Sequence, residues 1–261
     1  MLRDTADWPF TLTVFVLVVI VMTPDEALAQ GRGPGVQGPP PTAKASAPID
    51  ITGYWVALIT EDWRYRMTLP PKGDYTGVPL NPEGKKLADA WDPAKDEAAG
   101  DQCRAYGAAG IMRMPTRLHI TWLDDETLNV ETDAGSQTRI FHFKPTDASG
   151  GDWQGVSQAN WDRQATPMGF GRGGPPPGGA MRAVTTKMKP GYLRRNGVPY
   201  SADAVLTEYW DRLDVPGGES LLVVTSSVVD PANLATPYWT STHFRKQNDA
   251  TGWNPSPCST K

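Results

Sequence analysis

The chain has 261 residues, of which 26 are glycine and 25 proline, about a fifth of the total against roughly 12% in average usage. That composition excludes an ordinary helical bundle, while an apolar share of about 46%, counted with glycine and without tyrosine, is enough for one folded domain of 200 residues or more. A formal charge of −4 and a pI near 5.4 give no sign of a polyanion-binding surface, so no nucleic-acid partner is expected.

In chain order, Phe10 to Met22 reads FTLTVFVLVVIVM, an apolar run too short to span a bilayer. Ala27, Leu28 and Ala29 follow with the small-x-small pattern of a signal-peptidase site, which predicts a signal peptide over 1–29 and export to the periplasm or beyond. Retention of the segment as an anchor is the alternative; cleavage leaves no stable membrane span. It also removes Arg3 with Asp4, Asp7, Asp25 and Glu26, so the remaining chain is nearly neutral. Residues 30–48, rich in Gly, Pro, Ala and Ser, have too little apolar surface for a core and are expected to be a disordered leader.

From 49 to 250 the pattern is that of strands. ITGYWVALIT and DWRYRMTL are rich in aromatic and β-branched residues. NPEGKKLADAW (81–91) carries helix-starting signals and predicts one short helix. TRLHITWL, TLNVETD and QTRIFHF, joined by short turns, must be antiparallel neighbours. Further strands are expected in DWQGVSQANWD, RAVTTKM, DAVLTEYWDRL, SLLVVTSSVV and YWTSTHFRK. Residues 167–180 form a Gly/Pro-rich insert, read as a mobile loop; it lacks the Lys-Ser/Thr ending of a phosphate-binding loop, and no nucleotide cofactor is expected. The fold class predicted is mainly β, an antiparallel barrel of about 8–10 strands with one short helix, because closure removes exposed edges. A β-sandwich is the alternative. Cys103 and Cys258, an even pair in an exported chain, are expected to form a disulfide that clips the tail 251–261; two free or metal-binding thiols are the competing reading.

Gly53-Tyr54-Trp55 resembles the G-x-W opening of lipocalin-type barrels, in which the Trp plugs one end. The stretch from Cys103 to Pro237 is similar to a large group of uncharacterised exported bacterial proteins through a series of spaced motifs: CRAYGAAGIMRMP, TRIFHF, DWQGVSQANWD, SADAVLTEYW and VVDPANLATPYW. Here Asp162 stands where that group has Glu after the Trp, and the basic LRRNGVPY segment is an addition. The resemblance implies a compact exported lipocalin-like β-domain and brings no activity with it.

Three sets of residues could carry chemistry. His119, His142 and His243, all in predicted strands, could hold a divalent metal such as Zn²⁺ if their imidazoles converge, although no H-x-H or H-x-x-x-H spacing supports this. Glu208, a mid-strand carboxylate, could act as a general base with those histidines and Arg117 nearby; a surface salt bridge is the plainer reading. Trp63, Arg66, Tyr192, Arg194, Tyr209 and Trp239 are candidates for ligand binding, since arginines beside aromatic rings suit anionic or phenolic molecules. No G-x-S-x-G elbow, H-E-x-x-H or C-x-x-C motif occurs, and no Rossmann dinucleotide fingerprint is recognised. The leading expectation is a barrel that binds a small apolar or aromatic molecule in its lumen. A metal-assisted or cofactor-free lyase, isomerase or hydrolase is the second, and a structural envelope module the third.

Overall fold

The fold is closed by pairing of the first strand with the last. In the computed structural model, which describes residues 40–163 and 179–260, β1 (Gly53–Leu58) runs antiparallel to both β11 (Tyr238–Gln247) and β2 (Arg117–Trp122). The predicted signal peptide, most of the leader and positions 167–178 of the insert lie outside the described residues; its last two, Gly179 and Ala180, begin a strand.

The expected meander forms β2, β3 (Thr127–Thr132) and β4 (Gln137–His142), followed by β5 (Val156–Arg163), β6 (Gly179–Thr186), β9 (Val205–Asp214) and β10 (Ser220–Val229). With β1 and β11 these make a closed barrel of nine strands. A ring with an odd number of strands cannot alternate direction all the way round, so one adjacent pair has to be parallel. That pair is β4 and β5, in register at Phe141 with Ser157 and His142 with Gln158. The other two strands, β7 (Gly191–Arg194) and β8 (Val198–Tyr200), form a separate hairpin outside the ring. Its turn includes Gly197 at φ 81°, a left-handed conformation that glycine adopts without steric cost.

The expected helix appears as α2 (Pro82–Asp89), with Asn81 at its N-cap accepting from the Gly84 amide at 2.8 Å and Pro82 in its first turn. Three shorter helices join it: α1 (Trp63–Arg66), α3 (Pro93–Ala98) and α4 (Ala108–Ile111). The first corrects the strand expected over DWRYRMTL. Arg66 is drawn inward to Glu61 and to the Arg113 carbonyl at 2.9 Å, and these tertiary contacts override the alternating aromatic pattern.

All nine barrel strands send apolar side chains into one core, among them Trp55, Leu118, Ile120, Phe141, Met181, Trp210 and Phe244, each fully buried. A buried side chain of this kind contributes about 1.5–3 kcal/mol, so apolar burial in the ring holds the barrel together. The interior is thus occupied by the protein's own side chains. One end is closed by a second cluster in which Leu206, Val228 and Tyr238 meet Val198 and Tyr200 of the hairpin and Leu234. At the other end Trp122, Phe143 and Trp161 pack with ring centroids 5.0–6.4 Å apart. Residues 41–48, expected to be disordered, are bound there instead: the Trp161 indole donates to the Ala43 carbonyl at 2.8 Å, and the Lys44 amide to that of Asp125 at 3.0 Å.

Cys103 and Cys258 are disulfide-bonded with Cα atoms 5.1 Å apart, closing a separation of 155 residues. The tail is further tied by the Ser256 amide to the Asp133 carbonyl at 2.8 Å, and Trp253 sits edge-on to Tyr54 and His119. Among the described residues no helix is long and apolar enough to cross a membrane.

Candidate functional site

A cleft of about 520 Å³ with aromatic walls lies between α2, α3 and the β7–β8 hairpin. Its walls are set by local sequence. Asn81 caps α2 and also ties it to the loop after β10, its amide donating to the Asn233 carbonyl at 2.9 Å and its side chain to that of Pro231 at 3.0 Å. Gly84 permits the close approach, since a β-carbon there would overlap the Asn233 carbonyl. Asp92 caps α3 by accepting from the Ala94 amide at 3.1 Å, and Pro93 starts the helix.

Asp96 on α3 is the centre of the site. It is buried and accepts three hydrogen bonds, from the Tyr192 hydroxyl at 2.8 Å, the Arg104 guanidinium at 2.9 Å and the Trp91 indole at 3.2 Å. Trp91 and Tyr192 meet edge to face at 6.5 Å, and the Arg104 guanidinium lies 4.6 Å above the Tyr192 ring. Burial, reinforced by the bond to Asp96, pushes the Tyr192 phenol up from its ordinary value, so it stays a proton donor at neutral pH. One carboxylate therefore fixes two aromatic rings and a cation in place. Leu87 and Pro199 add apolar wall, and Leu87 is half exposed toward solvent.

At the cleft's edge the Ser201 hydroxyl donates to Asp230 at 2.7 Å, its amide donates to the other carboxylate oxygen at 2.8 Å, and Asn233 donates to Asp230 at 2.8 Å. In a Ser-His-Asp triad an imidazole stands between the serine and the carboxylate, whereas here Ser201 bonds Asp230 directly. No histidine lines this cleft. Chemically, the arrangement is a pre-formed aromatic recess with fixed polar groups.

Comparison with protein-family models, with curated proteins and with solved structures returns no match for this chain. Function has to be argued from the site.

The histidines are not brought together. His119 on β2 faces outward, stacked on Tyr54 at 4.2 Å and 2.8 Å from the Glu131 carboxylate. His243 pairs across from Leu58, four positions along β1 from the Tyr54 that pairs with His119, or about 13 Å at strand rise. It lies 3.2 Å from Glu61. His142 pairs with Thr127, four positions from the Glu131 opposite His119, and lies at the rim of a shallow surface hollow beside Asp124. Among the described residues no group of three His, Cys, Asp or Glu side chains could hold a metal ion. Alternation puts these histidines on the outside while the apolar partners of each strand fill the interior.

Glu208 does face inward, but it is spoken for. Both its oxygens are held by Arg139, at 3.0 and 2.6 Å, with both side chains completely buried. Thr185 lies 3.5 Å from the same guanidinium and hydrogen-bonds Ser157 at 2.7 Å. Arg117 is on the outer face near Asp133 at 3.7 Å, so the expected constellation of Glu208 with Arg117 and the histidines is not assembled. A carboxylate sealed inside the barrel and held on both oxygens by Arg139 is not presented to a substrate.

Of the ligand-binding candidates, Tyr192 lines the cleft. Arg66 and Arg194 meet at a different small cavity. Trp63 and Trp239 are largely exposed, and Tyr209 points away from the core, on the opposite face of β9 to Glu208 and Trp210. Trp91, Asp96 and Arg104 were not singled out by the sequence; the helix-capping pattern NPEG…WDPAKD spans Trp91, between α2 and α3, and Asp96 on α3, while Arg104 lies beyond it in a 3-10 turn.

The spaced motifs acquire a physical meaning. Arg139 of TRIFHF pairs with Glu208 of SADAVLTEYW, Ser201 of that same motif pairs with Asp230 of VVDPANLATPYW, Ser157 of DWQGVSQANWD joins the network through Thr185, and Cys103 of CRAYGAAGIMRMP holds the tail. These residues secure the barrel.

Proposed function

We propose that this is an exported binding protein that holds a small, flat, largely apolar molecule in the cleft between α2, α3 and the β7–β8 hairpin. The observation that carries the reading is the recess of about 520 Å³ whose Trp91 and Tyr192 rings are locked by a single buried Asp96. Small-molecule sites are mostly apolar hollows of about 300–1,000 Å³ with a few fixed polar groups. The lumen, where a ligand was first expected, is filled by Trp55, Trp210, Phe141 and Phe244, so the cleft is the better seat. Export is supported by the disulfide, which persists in oxidising compartments, and by the signal-like segment at the start of the chain.

Binding favours a ligand that stacks on or abuts the aromatic pair and accepts a hydrogen bond at the Arg104 edge. Native mass spectrometry of protein purified from its own host tests this: a small bound organic molecule in the wild type, absent from Leu87→Arg, supports the reading. The same molecule retained by Leu87→Arg refutes it.

A further inference from the structure

Four arginines converge where α1, α4 and the β7–β8 hairpin meet. Arg66, Arg113, Arg194 and Arg195 line a small, partly open cavity of about 20 Å³, walled also by Tyr65 and Met114. A hollow of that size admits one water-sized atom, such as a single oxygen of a larger group.

Their charge is only partly answered. Glu61 pairs with Arg66 and, at 3.4 Å, with Arg113, while Asp62 pairs with Arg113 at 2.5 Å. Arg194 donates to the Thr76 carbonyl at 2.8 Å and lies 4.4 Å over the Tyr65 ring. Among the described residues neither Arg194 nor Arg195 has a carboxylate at ion-pair distance.

Arg66 supplies an independent sign. Its side chain is 1% exposed; Nε donates to the Arg113 carbonyl and Nη1 to Glu61, but Nη2 is buried with no hydrogen-bond partner. A buried charged donor left without an acceptor is costly, and native structures rarely keep one without a reason. Burial, with repulsion from Arg113, also pushes the Arg66 pKa down to about 10 despite Glu61 and Asp62, as expected of a cation short of negative charge.

We propose that this cavity is a binding site for a small oxyanion, a phosphate- or carboxylate-type group, received by the free Nη2 edge of Arg66 and by the guanidinium groups of Arg194 and Arg195. Guanidinium forks match planar and tetrahedral oxyanions through paired charge-assisted bonds, which a spherical halide cannot reproduce. The site is separate from the aromatic cleft and does not depend on what that cleft holds.

The test is isothermal titration calorimetry of the chain with inorganic phosphate and, separately, with acetate, at constant ionic strength and with chloride as reference. Arg66→Gln strips a buried cation from Glu61 and is expected to destabilise the fold, so Arg194→Gln and Arg195→Gln, both part-exposed, carry the test. Saturable binding of phosphate or acetate to the wild type, at least about tenfold weaker in each variant, supports the site. The anion that binds identifies the group. Absence of saturable binding, equal binding of chloride, or affinities unchanged in both variants overturns the proposal.

Discussion

Removing one member of the Arg139–Glu208 pair should destabilise the barrel far more than removing both. The two side chains are completely buried and share two hydrogen bonds of 3.0 and 2.6 Å inside the ring. Either Arg139→Met or Glu208→Leu leaves an uncompensated charge in an apolar interior, which costs about 3–5 kcal/mol. For a fold of this size about 2–4 °C of Tm accompanies each kcal/mol, so a loss of about 6–20 °C is expected for each single variant. The double variant removes both charges and keeps most of the volume, and Ser157 and Thr185 still satisfy one another at 2.7 Å. Replacing a buried ion pair by apolar residues is often neutral or stabilising by about 1–4 kcal/mol, so the double variant should melt near the wild type or above it. Denaturant unfolding followed by near-ultraviolet circular dichroism gives all four corners of the cycle. The reasoning fails if either single substitution costs less than about 1 kcal/mol, or if the double variant loses the sum of the two singles.

Acid sensitivity should be traceable to Glu61. Burial acts to raise its carboxyl, but the Thr60 hydroxyl, Arg66, His243 and Arg113 together outweigh burial and hold it below the ordinary 4.5. A folded value below the unfolded one means that this carboxylate stabilises the fold above about pH 4.5 and that the contribution is lost as pH falls through the lower folded value. Stability measured against pH should therefore fall more steeply in acid for the wild type than for Glu61→Gln, with the two curves converging at the lowest pH; parallel curves would contradict the assignment. Cys103→Ser should lower stability by up to about 4–5 kcal/mol, the chain-entropy value for a loop of this length. It should also free the tail from Tyr54 and His119, seen as new proteolytic cleavage between residues 250 and 258. A tail protected as in the wild type would show that the hydrogen bonds of Ser256 and Ser259 suffice without the disulfide.

The barrel was legible because alternation is a local property. In RLHITW, Leu118 and Ile120 turn inward and His119 outward, as period two requires, and short turns between consecutive strands leave only antiparallel neighbours. The disulfide was legible for a similarly general reason, an even pair of cysteines in a chain whose opening residues led to an expectation of export. What could not be read was pairing over long separations. Arg139 and Glu208 stand 69 residues apart, and nothing in TRIFHF or VLTEYW says that these two charges meet. The parallel β4–β5 contact is likewise a consequence of the strand count, known only once the ring is closed. The WRYR stretch carried a strand-like pattern, yet its fate was decided by the remote Arg113 carbonyl. The cleft was least visible of all, because its second aromatic ring comes from Tyr192, 96 residues from the Asp96 that holds it.

The central claim is that recognition takes place in the aromatic cleft and not inside the barrel. Its most direct test is a fluorescence titration with N-phenyl-1-naphthylamine, a neutral flat aromatic probe, against the wild type, Leu87→Arg and Ala159→Val. Leu87 is 54% exposed on the cleft wall, so the arginine adds a charge there at little cost to folding. Ala159 lies in the barrel interior and does not line the cleft. Saturable binding by the wild type and by Ala159→Val, with loss of binding in Leu87→Arg, is the predicted result. Binding that survives Leu87→Arg and disappears in a folded Ala159→Val protein would place the ligand in the lumen and contradict the account.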